Sequence, residues 1–315
     1  MKDIILGSEG MGWRAPHLIS GFFEAAYPNI EIVYKNTKEC DMIVRNHFFD
    51  RKCAMPNGAK YYAGEIEPIW NKQSKPYIYR SGESWQVLES DFHTNYVHIK
   101  TTNDDTQAIY LPYITNSHYL TQTVRLYTNK NRGHLLAYCN SHAVSERQYM
   151  FNKFVEVSNE NMCHAFGGCY GDHVELQRKL PGNYTSEKLI QHYSDYYFVI
   201  AMENKIAPGY ITEKILNAYA SGSIPIYWGD AVVTEFFNKD SFVNLSDFES
   251  IDECVDYVVN MKLDKIHWMM SQPVFNENTK YNDIINIHKS KDYYINNLPK
   301  IMPLLDEVVE TRKLK

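Results

Sequence analysis

Acidic, amide and cationic side chains lie close together in one short segment of this chain, and their types suit the binding of a phosphorylated ligand. Glu203 and Asn204 follow an apolar run at residues 196–201 that is typical of a buried strand. Thr212 is a suitable N-cap for the helix that follows, so Lys214 falls in the first turn of that helix. A cation in the first turn is unfavourable by about 0.3–1 kcal/mol when it has no partner, because it meets the positive end of the helix dipole.

The position of Lys214 therefore has two interpretations. Glu213 or a more distant carboxylate can offset the charge of its ammonium. Alternatively, the free N–H groups of the helix and the ammonium together hold an anion, most simply a phosphate. The spacing of the residues leaves both interpretations open.

The same segment has the outline of a β–loop–α–β unit. Pro208 and Gly209 predict a tight turn, and Gly222 suits the position after the last helical residue. A second strand is expected at Ile224–Trp228, although Pro225 favours a sheet edge or a bulge there. In open α/β sheets, ligands bind in the crevice at the carboxyl ends of the strands. The pattern therefore predicts a ligand site where the first strand ends and the helix begins.

Residues 196–230 closely resemble the donor-binding signature of the α-1,3-fucosyltransferases, glycosyltransferase family 10. The matching residues, in chain order, are Glu203-Asn204, Tyr210-Ile211-Thr212-Glu213-Lys214 and Ile224-Pro225-Ile226-Tyr227-Trp228-Gly229. The last of these runs is most similar to the bacterial branch of the family. The resemblance continues to residue 248 and weakens beyond about residue 260.

Strands alternate with helices along the chain, which indicates two α/β domains with mostly parallel sheets. The resemblance implies two Rossmann-like domains facing a cleft, which is the GT-B glycosyltransferase architecture. Because residues 129–133 are polar and turn-prone, we expect a domain boundary there, with an N-terminal α/β domain at residues 1–130 and a Rossmann-like C-terminal domain at residues 131–290. The resemblance implies that the first binds the acceptor and the second binds GDP-fucose. Residues 291–315 are expected to form a helical tail that packs across the domain junction.

Apolar runs and turn residues also predict the individual elements. Strands are expected at residues 3–6, 30–34, 41–45, 76–80, 96–99, 135–139, 165–168, 196–201, 224–228 and 242–245. Helices are expected at residues 15–26, 145–157, 186–193, 212–221, 251–262 and 283–297, with a short amphipathic helix at the end of the chain.

Glu83 is the candidate catalytic base. An inverting transferase needs a general base for the acceptor hydroxyl, and it needs cations or N–H groups for the leaving diphosphate. Glu83 follows a strand-like run and a glycine, and the family's proposed base stands in a similar Gly-Glu context, so the resemblance implies this role. Spacing alone favours a solvated loop carboxylate, and Glu65 and Glu67 are nearby rivals.

Arg147 is the candidate phosphate clamp. It lies near the start of the helix expected at Ser145–Val157, for which Ser145 can act as the cap. A guanidinium at a helix start can bind a phosphate through two parallel hydrogen bonds. The alternative is a surface salt bridge with Glu146 or a neighbouring residue, which would contribute little to stability.

The remaining donor-site roles are implied by the resemblance. Lys214 and Arg147 would hold the diphosphate, Glu213 would accept hydrogen bonds from the ribose hydroxyls, and Tyr210 and Asn204 would line the site. Glu203 would either contact the sugar or support the end of the strand.

No metal ion is expected to be obligatory. The chain has no Asp-x-Asp triplet, so cationic side chains would replace the charge of a metal at the diphosphate. Cys163, His164 and Cys169 have no second ligand pair at the spacing of a zinc site.

Composition restricts partners and location. The net charge of −6 argues against binding to nucleic acid. The first ten residues do not resemble a signal peptide, and no apolar stretch is long enough to span a membrane. Animal members of the family carry an N-terminal anchor, and no such anchor is recognised in this sequence. We therefore expect a soluble, cytoplasmic protein of bacterial or viral type. Three cations near the C-terminus leave peripheral membrane contact open.

The leading hypothesis is an inverting enzyme that moves L-fucose from GDP-fucose to the 3-hydroxyl of GlcNAc in a galactosyl-GlcNAc-type oligosaccharide or glycoconjugate. The alternatives are a transferase that uses another GDP-sugar, such as GDP-mannose, and a non-catalytic glycan-binding protein on the same fold.

Overall fold

The protein forms two compact units in a computed structural model. The first unit comprises Met1–Pro112 and Asn282–Lys315, and the second comprises Tyr113–Tyr281. The structure describes residues 3–9, 14–34, 40–46, 77–80, 96–100, 103, 108–111, 125–159, 161–182, 187–277 and 290–313.

A parallel six-stranded sheet forms the centre of the first unit, in the order β2-β1-β3-β4-β5-β6. Its strands are β1 (Ile4–Glu9), β2 (Ile32–Tyr34), β3 (Met42–Asn46), β4 (Tyr77–Arg80), β5 (Tyr96–Lys100) and β6 (Ile109–Tyr110). Five of them coincide with strands predicted from apolar runs, whereas the two-residue β6 is too short to give a periodic signal.

Two helices that are far apart in sequence pack together in the first unit. They are α1 (Arg14–Ala26) and the C-terminal helix, which we call α8 (Lys291–Lys313). Phe22 of α1 meets the ring of Tyr294 edge-on, with ring centroids 4.9 Å apart. The helix continues through Pro299 and Pro303, because its apolar side chains join the same core as those of α1. The tail therefore completes a core that begins in the first 30 residues.

Polar contacts also fasten α8 to strand ends of the first unit. Arg312 donates through Nε to the carbonyl oxygen of Asp3 at 3.0 Å and pairs with the carboxylate of Asp41 at 3.5 Å. Lys300 donates to the carbonyl oxygen of Ala108 at 2.7 Å. One of the three terminal cations considered for membrane contact thus has partners within the protein.

The second unit is built around another parallel six-stranded sheet, in the order β12-β11-β10-β7-β8-β9. Its strands are β7 (His134–Asn140), β8 (Cys163–Gly167), β9 (Gln177–Arg178), β10 (Tyr196–Met202), β11 (Ile224–Trp228) and β12 (Val243–Asn244). Its helices are α2 (Ser145–Val157), α3 (Glu187–Tyr193), α4 (Glu213–Ala220), α5 (Val233–Phe236), α6 (Ile251–Val259) and α7 (Leu263–Ser271).

Both faces of this second sheet are covered. Leu136 and Tyr138 of β7 pack into a core with α2, α6 and α7, whereas Ala137 packs into a second core with α3 and α4. Alternate residues of a strand point to opposite faces, so a strand with helices on both sides is apolar along its whole length. This explains why the central strands appear as unbroken apolar runs in the sequence.

The chain reverses its direction of winding between β7 and β10. Strands β7, β8 and β9 extend the sheet to one side, and β10, β11 and β12 then extend it from β7 to the other side. At such a switch point the loops that follow the two central strands separate and leave a crevice at their carboxyl ends. Asn140 ends β7, and Glu203 and Asn204 follow β10, so these residues border the crevice.

The observed division of the chain differs from the one expected at residues 1–130, 131–290 and 291–315. The segment before β7 belongs to the second unit, because Leu126 donates to the carbonyl oxygen of Ala220 at 2.8 Å. Helix α8 belongs to the first unit through its packing on α1. A role for α8 at the domain junction stays a prediction.

Two local expectations are resolved by the sheet pairing and the helix ends. Pro225 lies within β11, but β12 pairs with β11 only from Ile226 onward, so the sheet has an edge beside the proline. The helix expected at residues 251–262 ends at Val259, and α7 (Leu263–Ser271) follows after a short break.

None of the described helices is long and apolar enough to cross a bilayer. The cytoplasmic location stays a prediction.

Gly222 provides a test of the packing at the end of α4. Its φ is +74°, and a Cβ at this position would lie 2.0 Å from the carbonyl oxygen of Tyr127. We expect Gly222→Ala to lower the free energy of unfolding by about 1–3 kcal/mol, through backbone strain and displacement of the segment before β7. Thermal denaturation followed by circular dichroism measures the change.

The matched control is Gly133→Ala, at a position with open space for a Cβ and no positive φ. Its effect should stay within about 0.5 kcal/mol. Similar melting temperatures for the two variants would contradict the assigned packing.

Candidate donor-binding site

The segment between β10 and α4 is a loop with fixed ends. Glu203 and Asn204 follow the strand, and the loop turns through Gly209, whose φ is +71°. The N–H of Gly209 donates to Oδ2 of Asp230 at 2.6 Å, which ties the turn to the residues after β11. Thr212 caps α4 as predicted, by accepting from the N–H of Lys214. Gly222 ends the same helix with a positive φ, as its sequence position predicted.

Glu203 lies at the centre of the hydrogen bonds that fix this loop. Its side chain is fully buried, with a relative exposure of 0%. Its Oε1 accepts from the N–H of Thr212 at 2.7 Å, and its Oε2 accepts from the hydroxyl of Thr212 at the same distance. Burial raises the pKa of Glu203, while Lys214 and the donors of Thr212 act in the opposite direction. The carboxylate is thus held by the start of α4.

Lys214 lies among oxygen atoms at the start of α4. Its Nζ is 3.0 Å from Oγ1 of Thr212, 3.4 Å from Oε2 of Glu203 and 3.9 Å from Oε1 of Glu213. Two carboxylates therefore offset the ammonium in the helix's first turn, as the first interpretation of the sequence required. The anion-binding interpretation remains compatible with this geometry, because the ammonium stays at the helix N-terminus.

Arg147 is buried at the other side of the switch point, with a relative exposure of 0%. Its Nη1 donates to Oδ1 of Asn140. Its Nη2 donates to the carbonyl oxygen of His142 and to Oδ1 of Asn204, both at 3.2 Å. The alternative of a surface salt bridge with Glu146 is therefore wrong. The guanidinium connects the ends of β7 and β10, and burial lowers its pKa, opposed by the charges of nearby groups that include Tyr138 and Glu203.

The expected capping of α2 by Ser145 is wrong. Val144 is the N-cap residue and supplies no side-chain cap, while the hydroxyl of Ser145 donates to Oε2 of Glu146 at 2.8 Å. Ser145 has already entered the helix, so its hydroxyl does not bond to the first free N–H groups.

Three buried polar atoms border the crevice and have no hydrogen-bond partner among the described residues. They are Nδ2 of Asn140, Nε of Arg147 and Oε2 of Glu213. Buried polar atoms of this kind normally bond to protein, water or ligand, so the site offers donors and an acceptor to a polar molecule. Asn140 was not singled out from the sequence; its position at the end of a buried strand is the signal that could have identified it.

The structure brings together all but one of the residues predicted for this site. Glu203, Asn204, Glu213 and Lys214 lie around the loop, and Tyr210 is buried close enough to Arg147 to oppose the lowering of its pKa; all these residues belong to the second unit. Glu83 lies outside the described residues, as do its rivals Glu65 and Glu67.

Cysteine and histidine side chains of β8 have partners other than a metal. The thiol of Cys163 lies 3.3 Å from the hydroxyl of Ser158, and Nδ1 of His164 lies 2.8 Å from the hydroxyl of Tyr196. Within the described part of the chain, no three acidic, histidine or cysteine side chains are grouped as a metal site.

Solved structures with a similar fold include α1,3-fucosyltransferases. A crystal structure titled as an α1,3-fucosyltransferase with GDP matches with a TM-score of 0.61 and 16% identity, over 94% of this chain and 90% of the other. One titled with GDP-fucose has a TM-score of 0.57 and 17% identity, over 92% and 90% of the two chains. The fold is therefore of the GT-B glycosyltransferase class.

A family model assigns the second unit more narrowly. Residues 127–282 match the model "Glycosyltransferase family 10 (fucosyltransferase) C-term". This range holds Arg147, Asn204 and Lys214 together with the other residues of the loop. The chain therefore carries the C-terminal domain of glycosyltransferase family 10.

Relatives in sequence bear fucosyltransferase names. An α-(1,3)-fucosyltransferase of Helicobacter pylori is 36% identical over 119 residues, which are 37% of this chain and 23% of that protein. A putative fucosyltransferase of Acanthamoeba polyphaga mimivirus is 27% identical over 220 residues, or 67% of this chain and 35% of that protein. The matched part of this chain thus spans between about a quarter and a third of these relatives.

Arg147→Lys tests the bridge between β7 and β10. A lysine cannot satisfy the side-chain oxygens of Asn140 and Asn204 and the carbonyl of His142 at the same time. We expect the variant to lower the free energy of unfolding by about 1–3 kcal/mol, since buried acceptors lose their donors. Urea denaturation followed by circular dichroism measures the loss.

Arg178→Lys is the control, because the hydrogen bonds of the half-buried Arg178 side chain among the described residues go only to nearby backbone carbonyls. It should change the free energy of unfolding by no more than about 0.5 kcal/mol. Equal losses of unfolding free energy in the two variants would show that the hydrogen bonds of the buried Arg147 add no stability beyond those of Arg178.

Proposed function

We propose that this chain is an inverting α-1,3-fucosyltransferase that moves L-fucose from GDP-fucose to the 3-hydroxyl of GlcNAc in a galactosyl-GlcNAc-type glycan. The observation that carries the proposal is the placement of two cations, Arg147 and Lys214, beside the adjacent residues Asn204 and Glu203 at the switch point of a parallel sheet. The family 10 domain supports the choice of donor, because it covers both cations.

The two cations suit the leaving diphosphate. Each is already held in place by hydrogen bonds, so little reorganisation is needed when negative charge develops on the departing oxygen. In this proposal Arg147 and Lys214 bind the diphosphate, and no divalent metal ion is obligatory. The absence of an Asp-x-Asp triplet from the sequence supports the same assignment.

Other side chains of the site bind the uncharged parts of GDP-fucose in this proposal. Glu213 is 7% exposed, and its Oε2, which has no hydrogen-bond partner among the described residues, is suited to accept hydrogen bonds from the ribose hydroxyls. Asn204 and Tyr210 line the site. In this scheme Glu203 does not contact the sugar, because its two oxygen atoms already accept from the N–H and the hydroxyl of Thr212 and from the ammonium of Lys214.

The chemical step is a displacement at the anomeric carbon of fucose. Glu83 removes the proton from the acceptor hydroxyl, whose oxygen attacks this carbon from the face opposite the diphosphate. The bond to the diphosphate oxygen breaks, GDP leaves with the electron pair, and the configuration at the carbon inverts. Positioning of the acceptor hydroxyl against the donor supplies much of the rate enhancement.

Product analysis tests the reaction as a whole. The purified chain is incubated with GDP-fucose and EDTA, and with N-acetyllactosamine or lacto-N-biose as acceptor, and the products are measured by mass spectrometry. We expect N-acetyllactosamine to gain one deoxyhexose, with NMR placing the new bond at the 3-hydroxyl of GlcNAc.

Other outcomes identify which part of the proposal fails. Loss of turnover in EDTA would contradict metal independence, and transfer from GDP-mannose in preference to GDP-fucose would contradict the donor. Binding of glycan without transfer, in the presence of bound GDP-fucose, would instead support a non-catalytic protein on this fold.

Glu83→Gln tests the proposed base. The amide cannot accept the hydroxyl proton, so kcat should fall about 10²- to 10⁴-fold while the affinity for GDP stays unchanged. The matched controls are Glu65→Gln and Glu67→Gln, which remove nearby carboxylates and should leave kcat within a few-fold. A larger loss in either control would transfer the role of base to that residue.

A further inference from the structure

We propose that Glu203 is a positioning residue for the donor site, which acts by fixing Thr212 and the ammonium of Lys214 and does not contact the donor itself. The inference rests on the proposed function in one respect, which is that Lys214 binds the diphosphate. It assigns a separate task to the acidic residue that follows β10.

The carboxylate of Glu203 is already saturated by donors of the protein. Its Oε1 takes the backbone N–H of Thr212, and its Oε2 takes the hydroxyl of Thr212 at 2.7 Å and the ammonium of Lys214 at 3.4 Å. Its side chain has no exposed surface. A carboxylate in this condition has little to offer a sugar hydroxyl, whereas the loss of one of its oxygen atoms would leave a buried donor of Thr212 without its acceptor.

The hydroxyl of Thr212 gives the network a direction. A hydroxyl has one hydrogen, and here it is donated to Glu203, so the lone pairs of Oγ1 face the other groups. They accept from the ammonium of Lys214 at 3.0 Å and, more weakly, from its backbone N–H at 3.5 Å. The hydrogen bonds therefore run from Lys214 through Thr212 to Glu203, and the carboxylate determines where the ammonium points.

The same bonds set the start of α4. Glu203 lies nine residues before Thr212, and its two bonds to that residue close the loop between strand and helix. The cap residue thus receives a fixed position relative to β10. The helix dipole and the ammonium, which together make the proposed anion site, are both aligned by one side chain.

If Glu203 acted only through its charge, its removal would strengthen the binding of GDP, whereas a positioning role predicts weaker binding. The direction of the change in Kd therefore tests the inference. Neutralising a carboxylate beside a cation should strengthen the binding of a diphosphate, because a repelling charge is lost. If Glu203 acts by positioning, its neutralisation releases the ammonium and the cap, and binding becomes weaker. We expect the Kd of GDP for Glu203→Gln to rise about 10- to 100-fold, as measured by isothermal titration calorimetry.

The variants of Thr212 provide a second route to the same answer. Thr212→Val keeps the shape of the side chain and removes the hydroxyl, so GDP binding should weaken in the same direction. Thr212→Ser keeps the hydroxyl and should restore binding to within about twofold of the unchanged chain. If Glu203→Gln does not fold, as judged by circular dichroism, this pair carries the test alone.

A double-mutant cycle with Lys214→Ala decides whether Glu203 acts through Lys214. If it does, adding Glu203→Gln, or Thr212→Val, to Lys214→Ala raises the Kd of GDP by less than the same change does in the unchanged chain, and the remaining effect reports the alignment of α4. Tighter binding by Glu203→Gln, or effects that add fully in the double variant, would overturn the positioning role.

The cycle also separates this inference from the proposed function. If Lys214→Ala alone leaves the Kd of GDP unchanged, the diphosphate role of Lys214 fails, and the positioning role fails with it. If Lys214→Ala weakens binding while Glu203→Gln does not, the donor site stands and only the role of Glu203 is overturned. A fall in melting temperature with unchanged Kd would indicate a purely structural carboxylate.

Discussion

The burial of a carboxylate at the end of a central strand is the constraint on which the loop between β10 and α4 depends. Glu203 cannot keep a negative charge out of water unless the surrounding chain supplies donors, and Thr212 supplies two of them. To do so, the chain must turn back after β10 and begin a helix at that place. The cap, the turn and the direction of Lys214 then follow from a single requirement, which is to satisfy one buried side chain.

Arg147, at the other side of the switch point, is likewise a buried charged group that is held by polar partners. Its three oxygen partners come from both central strands or from the residues that follow them, so the guanidinium fixes the separation of two chain segments that would otherwise diverge. The buried Arg147, the half-buried Lys214 and the two neighbouring carboxylates, Glu203 and Glu213, leave the group close to electrical balance. In the proposed function, the site would therefore stabilise the charge of the diphosphate by placing oriented groups in rigid elements, without an excess of positive charge.

The sequence predicted the parts of the site that depend on near neighbours. The strand ending before Glu203, the cap at Thr212 and the C′ glycine at Gly222 all follow from periodicity and local backbone preference. The contact of Arg147 with Asn204 joins residues 57 apart, so no local pattern encodes it. Ser145 has the right residue type for a cap, but packing starts the helix one position earlier than such a cap requires. Likewise, tertiary contacts carry α8 through two prolines that sequence preference alone would place at a helix end.

The return of α8 to the first unit has a consequence for how the protein is made. Arg312 of α8 binds the backbone of Asp3, so the first unit is assembled from two separate segments of the chain while the second is continuous. A ribosome releases α8 only after the residues before it have been synthesised. All residues of the second unit are available before that moment, whereas the apolar face of α1 must wait for its partner helix. During synthesis, α1 thus reaches its final packing only after the whole second unit has been made.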